Sequence, residues 1–369
     1  MLTRLKRMDK EMKLQSDIDN MVPEQMKERK TSTFKKVLKL LGLLLGIGLL
    51  YAFVRNSNLD AIWTQLSTIG WKFVFLIGVS FVSYFLVTIA WRQSFLDAPR
   101  GVDIMQLFVL RLIGESLAQI NPTNVIAGDT LKAVMLRRKG VPYQSSIVSL
   151  TISRFLIILS SVALMAIGVY IFLDHIQALA SQHMIVIMTL TVVAILLVLL
   201  SLLHTGKGLF GLPVRIMNSL FPNSEKVYTA TENLKLIDEE LIEFYRRKKL
   251  SFFSAFWLSF FHRITGAAEF YVILVFLGID ITFFSCVAIE IGVMVFKALG
   301  SFIPGQLGIE EYGNKVMLDF VNVPGSEIWI TVSILRRARQ LFWIGLGVIL
   351  FSLMIGKKSP NPVMAEQRS

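Results

Sequence analysis

The sequence contains very few of the residues that build metal sites and disulfide frameworks. Among its 369 residues there are one cysteine, Cys286, and four histidines. The single cysteine excludes an internal disulfide and a multi-cysteine metal site, and the histidines do not have the spacing of an HExxH zinc motif. The sequence also has no GxSxG nucleophile motif and no P-loop lysine motif. We therefore expect neither a metal nor another cofactor, and no enzymatic activity.

Hydrophobic residues, in contrast, are abundant. They make up 54% of the chain, and the mean hydropathy is +0.61. Such a composition, with several apolar runs of about twenty residues, is typical of an all-α polytopic membrane protein. The net charge of +12 comes from lysines and arginines in the tails and in alternate loops. Because these charges do not form one basic face, we interpret them as topology signals and expect no nucleic-acid partner.

Eight apolar runs follow one another along the chain. They cover about residues 37–54, 71–91, 104–120, 146–173, 184–204, 251–278, 282–303 and 327–355. Lysines and arginines are concentrated in five other segments, which are residues 1–36, 92–100, 137–139, 207–249 and 357–358. The positive-inside rule places these segments in the cytoplasm. We therefore expect a multi-pass protein of the plasma (inner) membrane with both termini in the cytoplasm.

Two of the apolar runs end in helix-breaking sequences and return too soon to cross a membrane. After the run at 104–120, only about fifteen residues separate the break from the cytoplasmic arginines at 137–138. A helix of that length reaches about 20 Å, which is shorter than a membrane span. The run at 282–303 breaks similarly and emerges in a loop without basic residues. We predict two re-entrant helical hairpins of opposite orientation.

The two hairpins also resemble each other in sequence. Residues 122–154 align without a gap with residues 304–336, and each segment begins with proline and ends with arginine. An acidic residue recurs in register, as Asp129 and Glu311. Internal duplication around intramembrane charge is typical of transporters built as inverted repeats. The complete prediction is about six full transmembrane helices plus two oppositely oriented re-entrant hairpins.

This pattern divides the chain into five regions. They are a basic cytoplasmic tail (1–36), a first membrane half (37–204), a cytoplasmic loop (205–250), a second membrane half (251–356) and a cytoplasmic tail (357–369). Within the loop, the pattern of residues 227–245 predicts an amphipathic helix on the inner membrane surface.

Charged side chains around the hairpins are candidates for function, because a charge within the bilayer has to be paired or hydrated. The candidates are Arg111, Glu115, Asp129, Lys132 and Arg154 in the first half, and Lys297, Glu310, Glu311, Lys315, Arg336 and Arg337 in the second. The spacing predicts two ion pairs, Asp129 with Lys132 and Glu311 with Lys315. These pairs would leave Arg154 and Arg336 for an anionic headgroup, and the planar guanidinium suits phosphate.

The helix that begins after each break is a second device for binding anions, since its unpaired N–H groups carry a partial positive charge. We therefore include Asn121, Thr123, Gly305 and Gly308 in the candidate binding site. Coupling to a proton or an ion has three candidates, Glu310, Glu311 and His262. A structural reading remains open beside each of these, because arginines tie hairpins to a scaffold and lone histidines pack within helices.

The residues at the breaks resemble a known family. Pro122 through Gly128-Asp129-Thr130-Leu131-Lys132 and Pro304-Gly305-Gln306-Leu307-Gly308-Ile309-Glu310-Glu311 are similar to motifs of the lysylphosphatidylglycerol synthase transmembrane, or flippase-like, family, with Gln306 in place of a glycine. The resemblance covers about residues 35–355 and implies a domain that moves lipid between leaflets. Bifunctional members carry a soluble aminoacyl-transferase domain after the membrane part. This sequence ends at Ser369, so we expect no aminoacylation.

We therefore expect a lipid flippase that moves an anionic phospholipid or a lipid-linked intermediate between membrane leaflets. Two alternatives remain open. One is an accessory subunit or enzyme of lipid-linked glycan synthesis or lipid modification, with the loop 205–250 docking a synthase or glycosyltransferase partner. The other is a small-ion transporter. The sequence leaves open the lipid, the direction, the coupling ion and the formation of a homo-oligomer.

Overall fold

The computed structural model describes residues 69–99, 101–120, 124–171, 211–220, 225–300, 306, 308–325 and 327–356. Every regular element in these ranges is helical. The α-helices are α1 (Phe73–Gln93), α2 (Ile104–Ile120), α3 (Asn124–Arg137), α4 (Tyr143–Ile171), α5 (Gly211–Leu220), α6 (Glu225–Arg247), α7 (Lys249–Phe276), α8 (Phe283–Leu299), α9 (Ile309–Phe320) and α10 (Ile328–Gly356). A short 3₁₀ turn precedes α1.

Four helices in the described ranges are long and apolar enough to cross a membrane. They are Gly70–Gln93, Tyr143–Gly168, Lys249–Phe276 and Ile328–Met354, and each coincides with a predicted apolar run. The predicted fold class, an all-α polytopic membrane protein, is therefore confirmed. The two other predicted full spans, at 37–54 and 184–204, lie outside the described residues. The cytoplasmic location of the termini remains a prediction.

Two pairs of shorter helices lie where the hairpins are predicted. Helix α2 packs against α3, and α8 packs against α9. The second arms are short, with 14 residues in α3 and 12 in α9. At 1.5 Å per residue they reach about 21 Å and about 18 Å, well below a hydrocarbon core of about 30 Å. These lengths fit re-entrant arms, whose opposite orientation remains a prediction.

The arms of the first hairpin cross closely because two glycines face each other. A Cβ on Gly128 would clash with the carbonyl oxygen of Gly114, and a Cβ on Gly114 would clash with the side chain of Lys132. Apolar residues around this crossing, such as Leu110 and Leu136, are completely buried. The missing side chains thus let α3 bring its charged residues against α2.

The turn of the second hairpin uses left-handed backbone conformations. The φ angle is 54° at Gln306 and 82° at Gly308, and only glycine adopts such values at little cost. Hydrogen bonds hold Gln306 in place, because its Nε2 donates to the Lys297 carbonyl at 3.2 Å and its own carbonyl accepts from Arg337 Nη2 at 3.3 Å. The turn of the first hairpin, residues 121–123, lies outside the described residues.

The loop between the halves contains α5 and α6, and α6 covers the helix predicted at 227–245. Its Leu241 and Phe244 are buried in one apolar cluster with Ile152 and Leu156 of α4 and Phe252 of α7. Helix α6 therefore packs onto the same bundle that carries the hairpins. Its position on the inner membrane surface remains a prediction.

Candidate charged site between the hairpins

Five charged side chains from α2, α3 and α4 form a first cluster. Lys132 lies at its centre, with Nζ 2.9 Å from Glu115 Oε1 and 3.0 Å from Asp129 Oδ1, so the predicted Asp129–Lys132 pair is confirmed. Arg154 binds Asp129 with two hydrogen bonds, from Nε at 3.0 Å and from Nη2 at 3.1 Å. Arg111 Nη2 lies 3.6 Å from Glu115 Oε1. The cluster ties both arms of the hairpin to α4.

The first cluster is not electrically balanced. It contains three cations and two carboxylates, which leaves one surplus positive charge when all five are ionised. The Lys132 side chain is 1% exposed, whereas that of Arg154 is 30% exposed. Arg154 has a protein partner, contrary to the sequence-based expectation that it would lack one. Of Lys132 and Arg154, Arg154 is nevertheless the cation that a ligand can reach.

A second, larger cluster surrounds the other hairpin. Its members are Glu269 on α7, Glu290 and Lys297 on α8, Glu310 and Glu311 on α9, and Arg336, Arg337 and Arg339 on α10. These four carboxylates and four cations balance each other. The cluster therefore connects four helices without a surplus charge.

Arg336 is at the centre of the second cluster and is 5% exposed. Its guanidinium lies 3.7 Å from Glu269, 3.4 Å from Glu290 and 3.4 Å from Glu310, measured between nitrogen and carboxylate oxygen. The Phe270 ring covers it, with the ring centre 4.2 Å from Cζ. Arg336 thus also has protein partners, and an anionic ligand would have to displace carboxylates to reach it.

Glu311 does not pair with Lys315 as its spacing predicts. Its Oε1 accepts a hydrogen bond from Arg337 Nε at 2.8 Å, and its Oε2 accepts one from the Gly308 backbone N–H at 2.7 Å. The ammonium group of Lys315 lies over the Trp329 ring, 5.7 Å from its centre. The carboxylate of Glu311 therefore already occupies the positive end of α9.

A chain of hydrogen bonds connects the two hairpins. Arg337, which binds Glu311, donates through Nη1 to Gln340 Oε1 at 2.6 Å. Gln340 Nε2 donates in turn to Gln119 Oε1 at 2.6 Å. Gln119 lies at the end of α2, next to the first break. The chain therefore runs from α9 through α10 to α2.

Side chains of α1 and α7 lie near the clusters. Tyr84 on α1 packs against Trp343 of α10, with the two ring centres 5.1 Å apart. His262 Nδ1 is 2.7 Å from Ser83 Oγ, and the Thr265 hydroxyl donates to the same oxygen at 2.6 Å. His262 thus joins α7 to α1, and its role in proton coupling remains a prediction.

Comparison with protein families provides an identification. The family model described as "Lysylphosphatidylglycerol synthase TM region" matches residues 39–348. The chain belongs to this family. The match includes both hairpins and both charged clusters, and the family resemblance noted in the sequence is thereby confirmed. Comparisons with curated proteins and with solved structures found no match. Membership of the lysylphosphatidylglycerol synthase transmembrane family assigns the protein a function related to membrane lipids.

In this family member the sequence identified all five residues of the first cluster but missed Glu269, Glu290 and Arg339 of the second. The two glutamates occur singly inside apolar helices, and an isolated carboxylate in a membrane segment is itself a signal of a buried partner. Three other predicted site residues, Asn121, Thr123 and Gly305, lie outside the described residues.

Proposed function

We propose that this protein is a lipid flippase that moves an anionic phospholipid or a lipid-linked intermediate between membrane leaflets and catalyses no chemical reaction. The observation that carries the proposal is the exposure of Arg154, 30% for its side chain, in a cluster with one surplus positive charge. In this mechanism the headgroup phosphate binds Arg154 while the acyl chains remain in the bilayer.

The geometry of Arg154 suits this role. Asp129 binds Nε and Nη2, and Nη1 has no hydrogen-bond partner among the described residues. A guanidinium presents five N–H donors in a plane, so one edge binds the carboxylate while the other remains for a phosphate oxygen. The start of α3 supports anion binding as well, since its first turn contains no acidic residue.

The second cluster has a different role in this proposal. Its charges balance, and Arg336 is enclosed by carboxylates. Such a network holds the two arms of the second hairpin, α8 and α9, to each other and to α7 and α10. Glu310 and Glu311 remain candidates for coupling transport to a proton or an ion. Because the sequence has no nucleotide-binding motif, we propose that transport is either passive or driven by such a gradient.

The test is a translocation assay with the purified protein in liposomes. Phosphatidylglycerol and phosphatidic acid, each carrying a fluorophore on one acyl chain and assayed separately, are quenched by dithionite only in the outer leaflet. We expect the wild type to bring inner-leaflet lipid to the quencher, and Arg154→Ala to slow this at least about tenfold, as loss of a charged hydrogen bond predicts. Arg154→Lys keeps the charge without the planar guanidinium, so its translocation rate should lie between those of the wild type and Arg154→Ala.

Arg92→Ala is the matched control, because Arg92 is exposed at the end of α1 and lies outside both clusters. It should translocate lipid at the wild-type rate. Wild-type rates in Arg154→Ala would contradict the proposed site, and a wild type that does not move lipid would contradict the proposed function. Ionic current through the same liposomes without lipid movement would favour the small-ion transporter.

An accessory role has one observation in its favour. Helix α5 exposes Ile216 and Leu220, which are 50% and 66% exposed, so the loop 205–250 presents an apolar face suited to a partner or to the membrane surface. Deleting the whole loop would also remove Phe244 from the bundle core. The double substitution Ile216→Ser and Leu220→Ser is therefore the sharper test. Loss of a co-purifying synthase with translocation intact would favour the accessory role.

A further inference from the structure

Arg263 on α7 is a cation that has no hydrogen bond and no ion pair in the part of the chain that the structure describes. Its Nε atom is buried and unsatisfied. Helix α7 is long and apolar enough to span the membrane. An unpaired guanidinium in such a helix is costly and is expected to face water or a ligand. Neither cluster described above accounts for this residue.

Arg263 lies on a helix that reaches both clusters, because α7 carries Glu269 of the second cluster and packs against α4, which carries Arg154 of the first. One turn later on α7, a Cβ on Gly266 would clash with the carboxylate of Glu290, so Glu290 lies directly against this part of the helix. Arg263 interacts electrostatically with Glu290 of the second cluster and with Arg154 of the first. Glu290 forms its ion pair with Arg336, at 3.4 Å. Helix α7 also packs against α4, so Arg263 and Arg154 lie on neighbouring helices and their like charges repel each other.

The charges of this region show what would satisfy them. The two clusters together with Arg263 contain eight cations and six carboxylates, which leaves two surplus positive charges when all are ionised. One surplus charge belongs to the first cluster and the other is Arg263. A ligand that balances them carries two negative charges.

We infer that Arg263 and Arg154 together bind a dianionic phosphate group, and that the transported lipid therefore carries a phosphomonoester or a diphosphate. This inference rests on the proposed function for the role of Arg154. A phosphodiester headgroup carries one negative charge and would leave one arginine unbalanced. A phosphomonoester carries about 1.5 to 2 negative charges at pH 7. Two guanidinium groups also match its three terminal oxygens.

A binding experiment with the full-length protein in detergent tests the inference. Short-chain phosphatidic acid, short-chain phosphatidylglycerol and inorganic phosphate are titrated separately by calorimetry. We expect the wild type to bind phosphatidic acid at least about tenfold more tightly than phosphatidylglycerol, as one additional charged contact predicts. Arg263→Gln should lose most of this preference, and Arg263→Lys should retain part of it.

Arg263→Met is a second variant that is expected to fold and insert normally. It replaces the charge with an apolar chain of similar length, and removing an unpaired charge from a membrane helix favours insertion. This variant should lose the preference in the same way as Arg263→Gln. Equal affinity of the wild type for the two lipids, or an unchanged preference in Arg263→Met, would overturn the inference.

The same lipids in the liposome assay separate this inference from the proposed function. Wild-type translocation of both lipids, with no effect of Arg263→Met on binding, overturns the dianion site and leaves the flippase intact. The expected binding preference without any lipid movement supports the site and overturns the flippase. Inorganic phosphate that binds as tightly as phosphatidic acid would overturn the lipid part of the inference, since the acyl chains would then contribute nothing.

Discussion

The two hairpins are built from matching sequences, yet they hold their charges differently. In the first, the arginine of the following helix, Arg154, is 30% exposed and belongs to a cluster with a surplus positive charge. In the second, the corresponding Arg336 is 5% exposed and is enclosed by three carboxylates. Two of these, Glu269 and Glu290, come from helices outside the aligned segment 304–336. Two hairpins of similar sequence thus differ in their charges, with an accessible cation in the first and a closed network in the second.

The pairing register differs as well. Asp129 and Arg154 are 25 positions apart, whereas Glu310 pairs with Arg336 across 26 positions. The same spacing of 26 joins Glu311 to Arg337. The second hairpin therefore uses two consecutive acid–arginine pairs where the first uses one. This doubling leaves its arginines less available to a ligand.

The largest expected effect on stability comes from Arg336→Ala. The substitution leaves Glu290 and Glu310 buried with less positive charge nearby, so the free energy of unfolding should fall by about 3–5 kcal/mol. Arg154→Ala should lower it by about 1 kcal/mol or less, because that side chain is partly exposed. Thermal unfolding of both variants in detergent measures the difference. Equal losses would mean that the two arginines contribute equally to stability, contrary to their difference in burial.

Gly114→Ala tests the close crossing of the first hairpin. The new methyl group would collide with the Lys132 side chain, and overpacking of this kind lowers the free energy of unfolding by about 1–3 kcal/mol. Gly345→Ala on α10 is the control, since a Cβ there meets open space. It should raise stability by up to about 1 kcal/mol, because alanine favours the helix. Chemical or thermal unfolding measures both changes. A change in the free energy of unfolding with the same sign in both variants would contradict the close crossing.

A smaller effect than that of Arg336→Ala is expected from Gln340→Leu, which breaks the connection between the hairpins. It removes the hydrogen bonds to Arg337 and Gln119, and each is worth about 1 kcal/mol or less at a half-buried position. The double variant with Gln119→Leu should lose less than the sum of the two single losses, because both substitutions remove the same bond. Additive losses in the unfolding free energy would show that the two hairpins are energetically independent.

The sequence predicted the fold well because hydropathy and charge are local signals. The apolar runs and the two breaks located the helices, and the five charges of the first cluster lie within forty-four residues of one another along the chain. The second cluster depends on tertiary contacts, since Glu269, Glu290 and Arg339 come from three separate helices. Spacing along one helix suggested Lys315 as the partner of Glu311. The packing of α9 against α10 supplied Arg337 instead.

Arg263 also shows that tertiary partners cannot be predicted from local sequence. A single arginine beside a histidine in an apolar helix has no local partner, and its sequence neighbours do not reveal whether the fold supplies one. Only the arrangement of α4, α7, α8 and α10 shows that Glu290 is engaged by Arg336 and that the helix of Arg154 packs against the helix of Arg263. The missing ion pair of Arg263, as far as the described residues show, follows from how several helices pack together.

The single cysteine has a practical consequence. Cys286 is completely buried in α8, so thiol reagents applied to the intact protein will react first with cysteines placed on its surface by design. The loops at Lys139 and Asn322, which the charge pattern assigns to opposite sides of the membrane, can therefore be labelled without first removing a native thiol. The wild-type background is already suited to mapping which compartment each hairpin enters from.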